Sequence, residues 1–235
     1  MIGPFELDKV YCMDCLEAMK QMPDGCVDLV LTDPPYGVAY KTGYRKQEWH
    51  KFCTEIANDR DMVWVEPCCE ELERLMKDNT ALYWFSNHDA IDIVKPVIAG
   101  RFAYKNTITW VKNNWTAGDL EAQYGKQTEL IVYANKGRKF INGSRDQDVW
   151  YCNRVSGDGQ LHQNEKPVEL IERAIVKSSN EGDIILDPFM GSGTTAVACI
   201  RTNRHFIGFE IDETYYNLAC RRIQLEQSQM RLDLK

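Results

Sequence analysis

Short, nearly continuous apolar runs separated by longer stretches with helical spacing leave few folds open to this chain. Val27–Thr32 is the clearest run, and 81–85, 107–111, 130–134, 184–186 and 206–209 repeat the pattern. Runs this short, without polar alternation, suit strands buried on both faces. Between several of them lie helical patterns. The 65–77 stretch has Pro67 near its start and Leu72, Leu75 and Met76 on its apolar side. The 167–177 stretch begins with a proline, whose missing N–H costs nothing in a first turn. It then sets Val168, Leu170, Ile171, Ala174 and Ile175 on one stripe. Thr194–Arg201 and 214–227 complete the set. Alternating strands and helices with such strands predict an α/β fold on a mainly parallel sheet. At 235 residues, 44% hydrophobic and 27% charged, the chain predicts one packed domain, 1–235.

Two stretches interrupt the alternation, and connections this long inside a compact domain are usually functional or mobile. The first, 37–61, is polar, aromatic and basic, with Tyr40, Lys41, Tyr44, Arg45, Lys46, Trp49, His50 and Lys51. The second, 136–160, is rich in Gly, Asn, Asp and Arg. Other features narrow the function classes. No apolar run is long enough to span a bilayer, so no membrane partner is expected. The opening MIGPFELDKV has no apolar core of a secretion signal, which predicts a cytoplasmic protein. Nine cysteines, an odd number, predict free thiols. Cys12 and Cys15 form a C-x-x-C with no second pair at zinc-ribbon spacing, so no metal is expected.

The net charge of −7 argues against nucleic acid until its distribution is considered. Residues 101–154 hold nine Lys or Arg against five acids, a local +4 on an acidic body. That stretch is either a positive face for phosphate or an ordinary solvated surface.

Asp33-Pro34-Pro35-Tyr36, with Thr32 before and Gly37 after, directly follows a predicted buried strand. The prolines stop the strand and stiffen the loop, holding a carboxylate and a ring at the carboxyl end of the sheet, where α/β ligands bind. The pattern suits chemistry at an aromatic amine, whose lone pair is delocalised into its ring. Asp33 accepting one N–H and the Pro34 carbonyl accepting the other would draw that lone pair out of conjugation. Tyr36 would stack on the base. Positioning and electrostatics then serve for an in-line methyl transfer without a strong base. A base inside a duplex must leave the stack to reach such a corner. The plainer alternative is a strand-ending turn with a capping Asp.

The second motif is Asp187-Pro188-Phe189-Met190-Gly191-Ser192-Gly193-Thr194-Thr195, between a short strand and a helix. Its glycines allow close approach of a ligand to backbone. Glu210 ends the next strand nineteen residues after Gly191, an offset at which a carboxylate usually holds ribose hydroxyls. Gly191-x-Gly193-x-x-Ala196 also satisfies a relaxed dinucleotide fingerprint. In that fold, however, the first glycine follows the strand almost at once and pyrophosphate sits on the helix N-terminus. Here Asp187, Pro188, Phe189 and Met190 intervene. Asp187 would repel pyrophosphate and attract an ammonium, which favours S-adenosylmethionine over NAD.

Taken together, the two motifs resemble the amino-methyltransferases of bacterial restriction–modification systems and phages. The order of D-P-P-Y first, a variable middle, and the cofactor loop last resembles their β group, over roughly residues 10–222. The resemblance implies a doubly wound, mainly parallel seven-stranded sheet of the class I methyltransferase type, circularly permuted, with S-adenosyl-L-methionine as cofactor and double-stranded DNA as partner. It implies cofactor contacts from Asp14, Asp33, Asn164, Lys166, Asp187, Pro188, Phe189, Gly191, Ser192, Gly193, Thr194 and Glu210. Asp14 matches the family's G-D-x-x-x-x-L, with Met13 in place of the glycine. His162-Gln163-Asn164-Glu165-Lys166-Pro167 resembles H-P-x-x-K-P, with Gln163 in place of the first proline. Trp110-Val111-Lys112 resembles the W-x-K strand whose aromatic helps hold the flipped base. Glu129 stands where the family has an acid and is given no role.

Plainer readings stand beside these: Trp110 as core, Lys166 as a solvated helix-start residue, His162 as a structural hydrogen-bonder. Target recognition is expected from the insertions near 37–61 and 136–160. In the second, Lys136, Arg138, Lys139 and Arg145 join Tyr36, Trp110 and Lys112 as candidate DNA contacts. The short insertion fits a homodimer sharing the duplex.

Aspartate in the first motif goes mostly with adenine N6 in this family, and serine with cytosine N4. Cytosine N4, an RNA base, or a protein glutamine (which goes with Asn-Pro-Pro-Tyr) are the alternative acceptors. A DNA-binding protein that has lost turnover is the alternative of a different class.

Overall fold

The computed structural model describes residues 1–36, 62–115, 121–155 and 165–233. Their eight strands are β1 Lys9–Cys12, β2 Val27–Thr32, β3 Met76–Ser86, β4 Ala103–Val111, β5 Thr128–Lys136, β6 Val149–Tyr151, β7 Ile184–Asp187 and β8 His205–Glu210. The helices are α1 Cys15–Met19, α2 Val65–Leu75, α3 Ile91–Arg101, α4 Val168–Ser178, α5 Thr194–Arg201 and α6 Glu213–Asp233. One sheet runs in the order β1-β8-β7-β2-β3-β5-β4-β6. Only β5 is antiparallel to its neighbours; every other pairing is parallel.

Alternation along the central strands sorts the side chains to two faces. Val30, Leu82, Trp84 and Val132 meet α1, α2 and α3 through Met19, Leu72, Leu75 and Ile98. Leu29, Leu31, Tyr83, Phe85 and Ile131 meet α4, α5 and α6 through Ile171, Ile175, Ala196 and Ala219. Helices on both faces of the sheet make the fold doubly wound, as expected. The expected seven strands become eight. The additional one, β6, is three residues long and lies in the stretch read as loop. Trp150 at its centre is buried, and β6 pairs in parallel with β4 at the sheet edge.

The crossovers diverge at the boundary between β7 and β2. From β7 the chain passes through α5 to β8 on one side; from β2 it passes through α2 to β3 on the other. Strand directions that part in this way open a crevice beyond the carboxyl ends of the two strands. Both motifs flank it, because Asp33 follows β2 and Asp187 ends β7, with Val30 paired to Leu186.

The C-x-x-C splits between elements. Cys12 is exposed on β1, while Cys15 is buried at the start of α1, and both are free thiols. No helix among the described residues is long and apolar enough to cross a membrane.

Candidate active site

Pro34 is buried against the end of β2, and the two prolines turn Asp33 and Tyr36 toward each other. The Tyr36 hydroxyl donates to Asp33 Oδ1 at 2.5 Å. Lys166, next to the start of α4, donates its Nζ to Asp33 Oδ2 at 2.6 Å. The same ammonium stands 3.3 Å from Glu129 Oε2 at the head of β5. Glu129 Oε1 in turn lies 3.1 Å from Lys112 Nζ, just past the end of β4. Four charges of alternating sign therefore run Asp33, Lys166, Glu129, Lys112, drawn from four separate segments of the chain.

Burial and neighbouring charge decide the protonation of this group. Burial pushes the Asp33 carboxyl above its ordinary value, against the pull of the Lys166 ammonium. Burial opposes the charge on Lys166 too, but Asp33 and Glu129 outweigh it and raise the lysine above its ordinary value. Glu129 is held below the usual carboxylate range because Lys166 and Lys112 overcome its burial. Burial, with Asp33 and Glu129 adding to it, lifts the Tyr36 phenol well above its ordinary value. The phenol therefore stays protonated and acts as a donor.

Across the crevice, the glycine loop folds back after β7. Gly191 and Gly193 adopt φ of +54° and +85°. A Cβ on Gly191 would meet nothing within 4 Å, so the loop leaves open space beside its backbone there. Gly193 caps α5, with the Ala219 backbone about 3.1 Å from where its Cβ would stand. The Gly191 amide donates to Glu210 Oε2 at 2.8 Å, and Glu210 Oε1 accepts from the Asp212 amide at 2.9 Å. Asp187 is buried, accepting from the Thr195 hydroxyl at 2.6 Å and the Phe189 amide at 3.1 Å. Burial pushes its carboxyl up to about 7. Pro188 is buried; Phe189 leans against Trp64, which stacks on Trp84 at 5.9 Å.

Ser192 and Thr194 are held from α6. Arg222 donates to the Thr194 hydroxyl at 3.0 Å and pairs at 2.8 Å with the buried Glu165. Glu165 thus ties the approach to Lys166 back onto the cofactor-type loop. Sequence reasoning missed Arg222, Glu165 and Trp64, and it left Glu129 without a role.

Other candidate residues land elsewhere. Asp14 caps α1, accepting from the Leu16 and Glu17 amides. It sits beside the end of β8, where the Met13 amide donates to the Glu210 carbonyl. Asn164, His162 and Gln163 lie outside the described residues, as do 37–61 and 156–160. Trp110 is 1% exposed, with its indole N–H given to the Cys152 carbonyl at 2.8 Å. It packs behind the site and offers no free face to a base.

Lys136, Arg138 and Lys139 lie at the other end of the sheet from Asp33. Thr128 lies at the crevice end of the sheet, and the antiparallel β5 carries the chain away from it. Over eight residues at strand rise that is about 27 Å. Lys136 is spent on α2, donating to the Glu73 and Met76 carbonyls at 2.7 and 2.8 Å. The Arg138 guanidinium covers the Phe140 ring. The following residues dock along α4: Asn142 bonds the Ser179 carbonyl, and Asp146 pairs with Arg173. Arg145 is exposed on this docked stretch.

Exposed rings stand at the crevice end of the sheet, past β4, ahead of β5 and at the last residue of β6: Trp115 at 68%, Tyr124 at 101% and Tyr151 at 72% exposure. A cavity of about 240 Å³ at Tyr151 is also bounded by Lys112, Asn113, Asn153 and Glu169.

Comparison with known proteins identifies the family. The chain matches the family model described as DNA methylase, N6_N4_Mtase, over residues 27–221. Type II methyltransferase M.HpaI of Haemophilus parainfluenzae is 27% identical over 247 residues, covering 93% of this chain and 74% of that protein. DNA adenine methyltransferase YhdJ of Escherichia coli K12 is 28% identical over 245 residues, covering 90% of this chain and 81% of that one. The crystal structure of the M1.HpyAVI–SAM complex aligns with a TM-score of 0.70 at 26% identity, covering 92% of this chain and 98% of its own. The family match spans the strand that presents Asp33 and the strand that carries the glycine loop, and the chain therefore belongs to the DNA methylase family N6_N4_Mtase.

Proposed function

We propose that this protein transfers a methyl group from S-adenosylmethionine to the N6 amine of an adenine turned out of double-stranded DNA. The observation that carries the reading is the adjacency of β2 and β7. It sets Asp33 and the glycine loop on two sides of one crevice. The donor set on the β7 side fits the cofactor: an open backbone cradle at Gly191, a buried carboxyl at Asp187 for an ammonium, and Glu210 for ribose hydroxyls. When bound, S-adenosylmethionine supplies an electrophilic methyl on a sulfonium.

The chain's own residues do the rest. Asp33 accepts one N–H of the incoming amine, in place of the Tyr36 phenol, and the Pro34 carbonyl accepts the other; once the nitrogen carries the methyl it releases one proton through Asp33 Oδ1 to solvent. Tyr36, released from Asp33, stacks on the base. Lys166 stays on Asp33 Oδ2 and keeps that carboxylate ionised despite its burial. Holding the amine and the methyl in line supplies most of the acceleration.

DNA lies, in this reading, across the crevice end of the sheet. Trp115, Tyr124 and Tyr151 are placed to fill or wedge the stack left by the turned-out base. Asn113 and Asn153 are suited to base edges. Lys136, Arg138 and Lys139 are left out of the contact.

Two measurements test the reading. Nucleoside mass spectrometry and methylation-aware sequencing of DNA from cells expressing the chain should reveal N6-methyladenine in one sequence context. N4-methylcytosine would overturn the choice of base alone; the absence of any methylated base would overturn the function. The second measurement follows from Asp187. A carboxyl near 7 is mostly protonated at pH 6 and mostly ionised at pH 8, and only the ionised form attracts an ammonium. Calorimetric affinity for S-adenosylmethionine should therefore rise severalfold from pH 6 to about pH 7.5 and fall again above it as the ligand's own ammonium loses its proton. Affinity that is flat across this range would remove Asp187 from the site.

A further inference from the structure

The reaction as drawn needs Asp33 and an ammonium on it, but the structure contains more. Lys166 is itself braced by Glu129, and Glu129 by Lys112, with ion-pair distances of 2.6, 3.3 and 3.1 Å along the row. The far end of this row is rigid. Glu129 is the cross-strand partner of Trp110 in the β4–β5 pairing. The Trp110 ring is fixed by its hydrogen bond to Cys152, and Lys112 Nζ lies 5.7 Å from the centre of that ring.

The near end is where geometry has to be exact to a few tenths of an ångström. Asp33 has both oxygens engaged, Oδ1 by the Tyr36 phenol and Oδ2 by Lys166. An amine entering the corner can take Oδ1 from the phenol, which swings on a single side chain. It cannot take Oδ2 without expelling a buried ammonium. The plane of the Asp33 carboxylate, and so the direction in which Oδ1 faces the amine, follows the position of Lys166. The position of Lys166 follows Glu129.

We propose that Glu129 is a positioning residue for methyl transfer. It anchors Lys166 so that Asp33 presents Oδ1 to the target amine, and with Lys112 it sets the pH at which Asp33 is in the working form. The proposal rests on the methyltransferase reading above. Glu129 touches neither the amine nor the cofactor and acts through Lys166.

Among the described residues, the groups facing Asp33 can be changed one at a time. From its own loop comes Tyr36; from the segment before α4, Lys166; from β5, Glu129; from beyond β4, Lys112; and from β7, Asp187, whose negative charge also opposes ionisation of Asp33. Removing the negative charge of Glu129 makes it easier for Asp33 to stay ionised. Removing the positive charge of Lys112 makes it harder, because Glu129 then stands less compensated. Two substitutions in one row should thus move the same titration in opposite directions.

The test is kcat for methyl transfer to DNA as a function of pH, with S-adenosylmethionine KM measured alongside. In Glu129→Gln the plateau kcat should fall about 100-fold, as for a misplacement of reacting groups. KM should stay within about twofold, and the acid limb should move down by about one pH unit. In Lys112→Gln the acid limb should move up. Glu129→Asp, which restores the charge, should return the limb toward the wild-type position. A residue that merely supports the fold would lower activity without opposite shifts. Superimposable limbs, or shifts of the same sign, would overturn the proposal. If Glu129→Gln does not fold, the direction of the Lys112→Gln shift decides. A wild-type chain that methylates no DNA base defeats the underlying reading instead, and the inference falls with it.

Discussion

Asp33→Asn should leave the chain folded and able to bind S-adenosylmethionine, while methyl transfer to DNA falls at least about a thousandfold. The substitution keeps the shape of the side chain and one oxygen acceptor. It removes the charge that draws the amine lone pair out of the ring. It also replaces an acceptor by an NH2 that can only donate. If that NH2 faces Lys166, two donors oppose each other at the 2.6 Å contact. If it faces the crevice, the amine meets a donor where it needs an acceptor. Either rotamer spoils the corner. Lys166 keeps Glu129 as a counter-charge at 3.3 Å, so the variant is spared an unpaired buried ammonium and the loss should appear in turnover. The glycine loop is built from other strands, so cofactor affinity should stay within about threefold. Transfer of labelled methyl to DNA, calorimetry with S-adenosylmethionine and a thermal melt separate the three quantities. Turnover within tenfold of wild type would mean that Asp33 does not hold the amine.

Both halves of the crevice were legible in the sequence because their signals are local. Asp33-Pro34-Pro35-Tyr36 encodes its own rigidity, since two prolines fix the backbone whatever surrounds them. The Asp187 loop encodes its cradle through Gly191 and Gly193, which adopt left-handed φ that other residues rarely take. What joined the halves was not local. Glu129 becomes meaningful only once β4 and β5 are paired antiparallel. That register brings Lys112, seventeen residues away in sequence, onto it, and Lys166 arrives from thirty-seven residues further along the chain. A signal was present: Trp110 and Lys112 are two apart on one strand and so share a face, and an acid at the start of the next strand could neutralise that lysine.

The basic stretch also depends on non-local structure. Lys136, Arg138 and Lys139 read as a DNA surface from charge alone, but strand direction decides which end of a sheet a charge occupies. β5 runs the wrong way. The elements that escaped were those with weak periodic signals. The helix α1 has five residues and depends on its Asp14 cap. In α3, only Val94 and Ile98 are buried and Pro96 stands inside the helix. The strand β6 is three residues long at an edge.

Lys166→Met should cost about 3–5 kcal/mol of stability near pH 8, and the deficit should shrink as the pH falls toward 5. Methionine nearly matches the length and bulk of the lysine stem, so the loss is of charge and not of packing. The Lys166 side chain is 5% exposed and serves two carboxylates. Without it, Asp33 and Glu129 face each other across a dry gap, and only Glu129 retains a cation, in Lys112. Burial already pushes Asp33 up while Lys166 pulls it down. In the variant the pull is gone, and the carboxyl moves further above its unfolded value. A carboxyl raised on folding destabilises the native state at high pH, and that penalty is relieved as acidification protonates it. In the wild type one carboxylate runs the other way. Its Glu129 is depressed, so the stability this residue contributes is present above the ordinary carboxylate range and is lost only below it. Asp187, near 7 in both proteins, lifts both curves alike as the pH falls from 8 to 5, so the quantity to read is the difference between them, which should narrow. Urea unfolding at pH 8, 6.5 and 5 measures this directly, and at pH 8 the melting temperature should fall by about 6–20 °C. A deficit that stays constant or widens on acidification would mean that Lys166 stabilises the fold by something other than the two carboxylates it lies between.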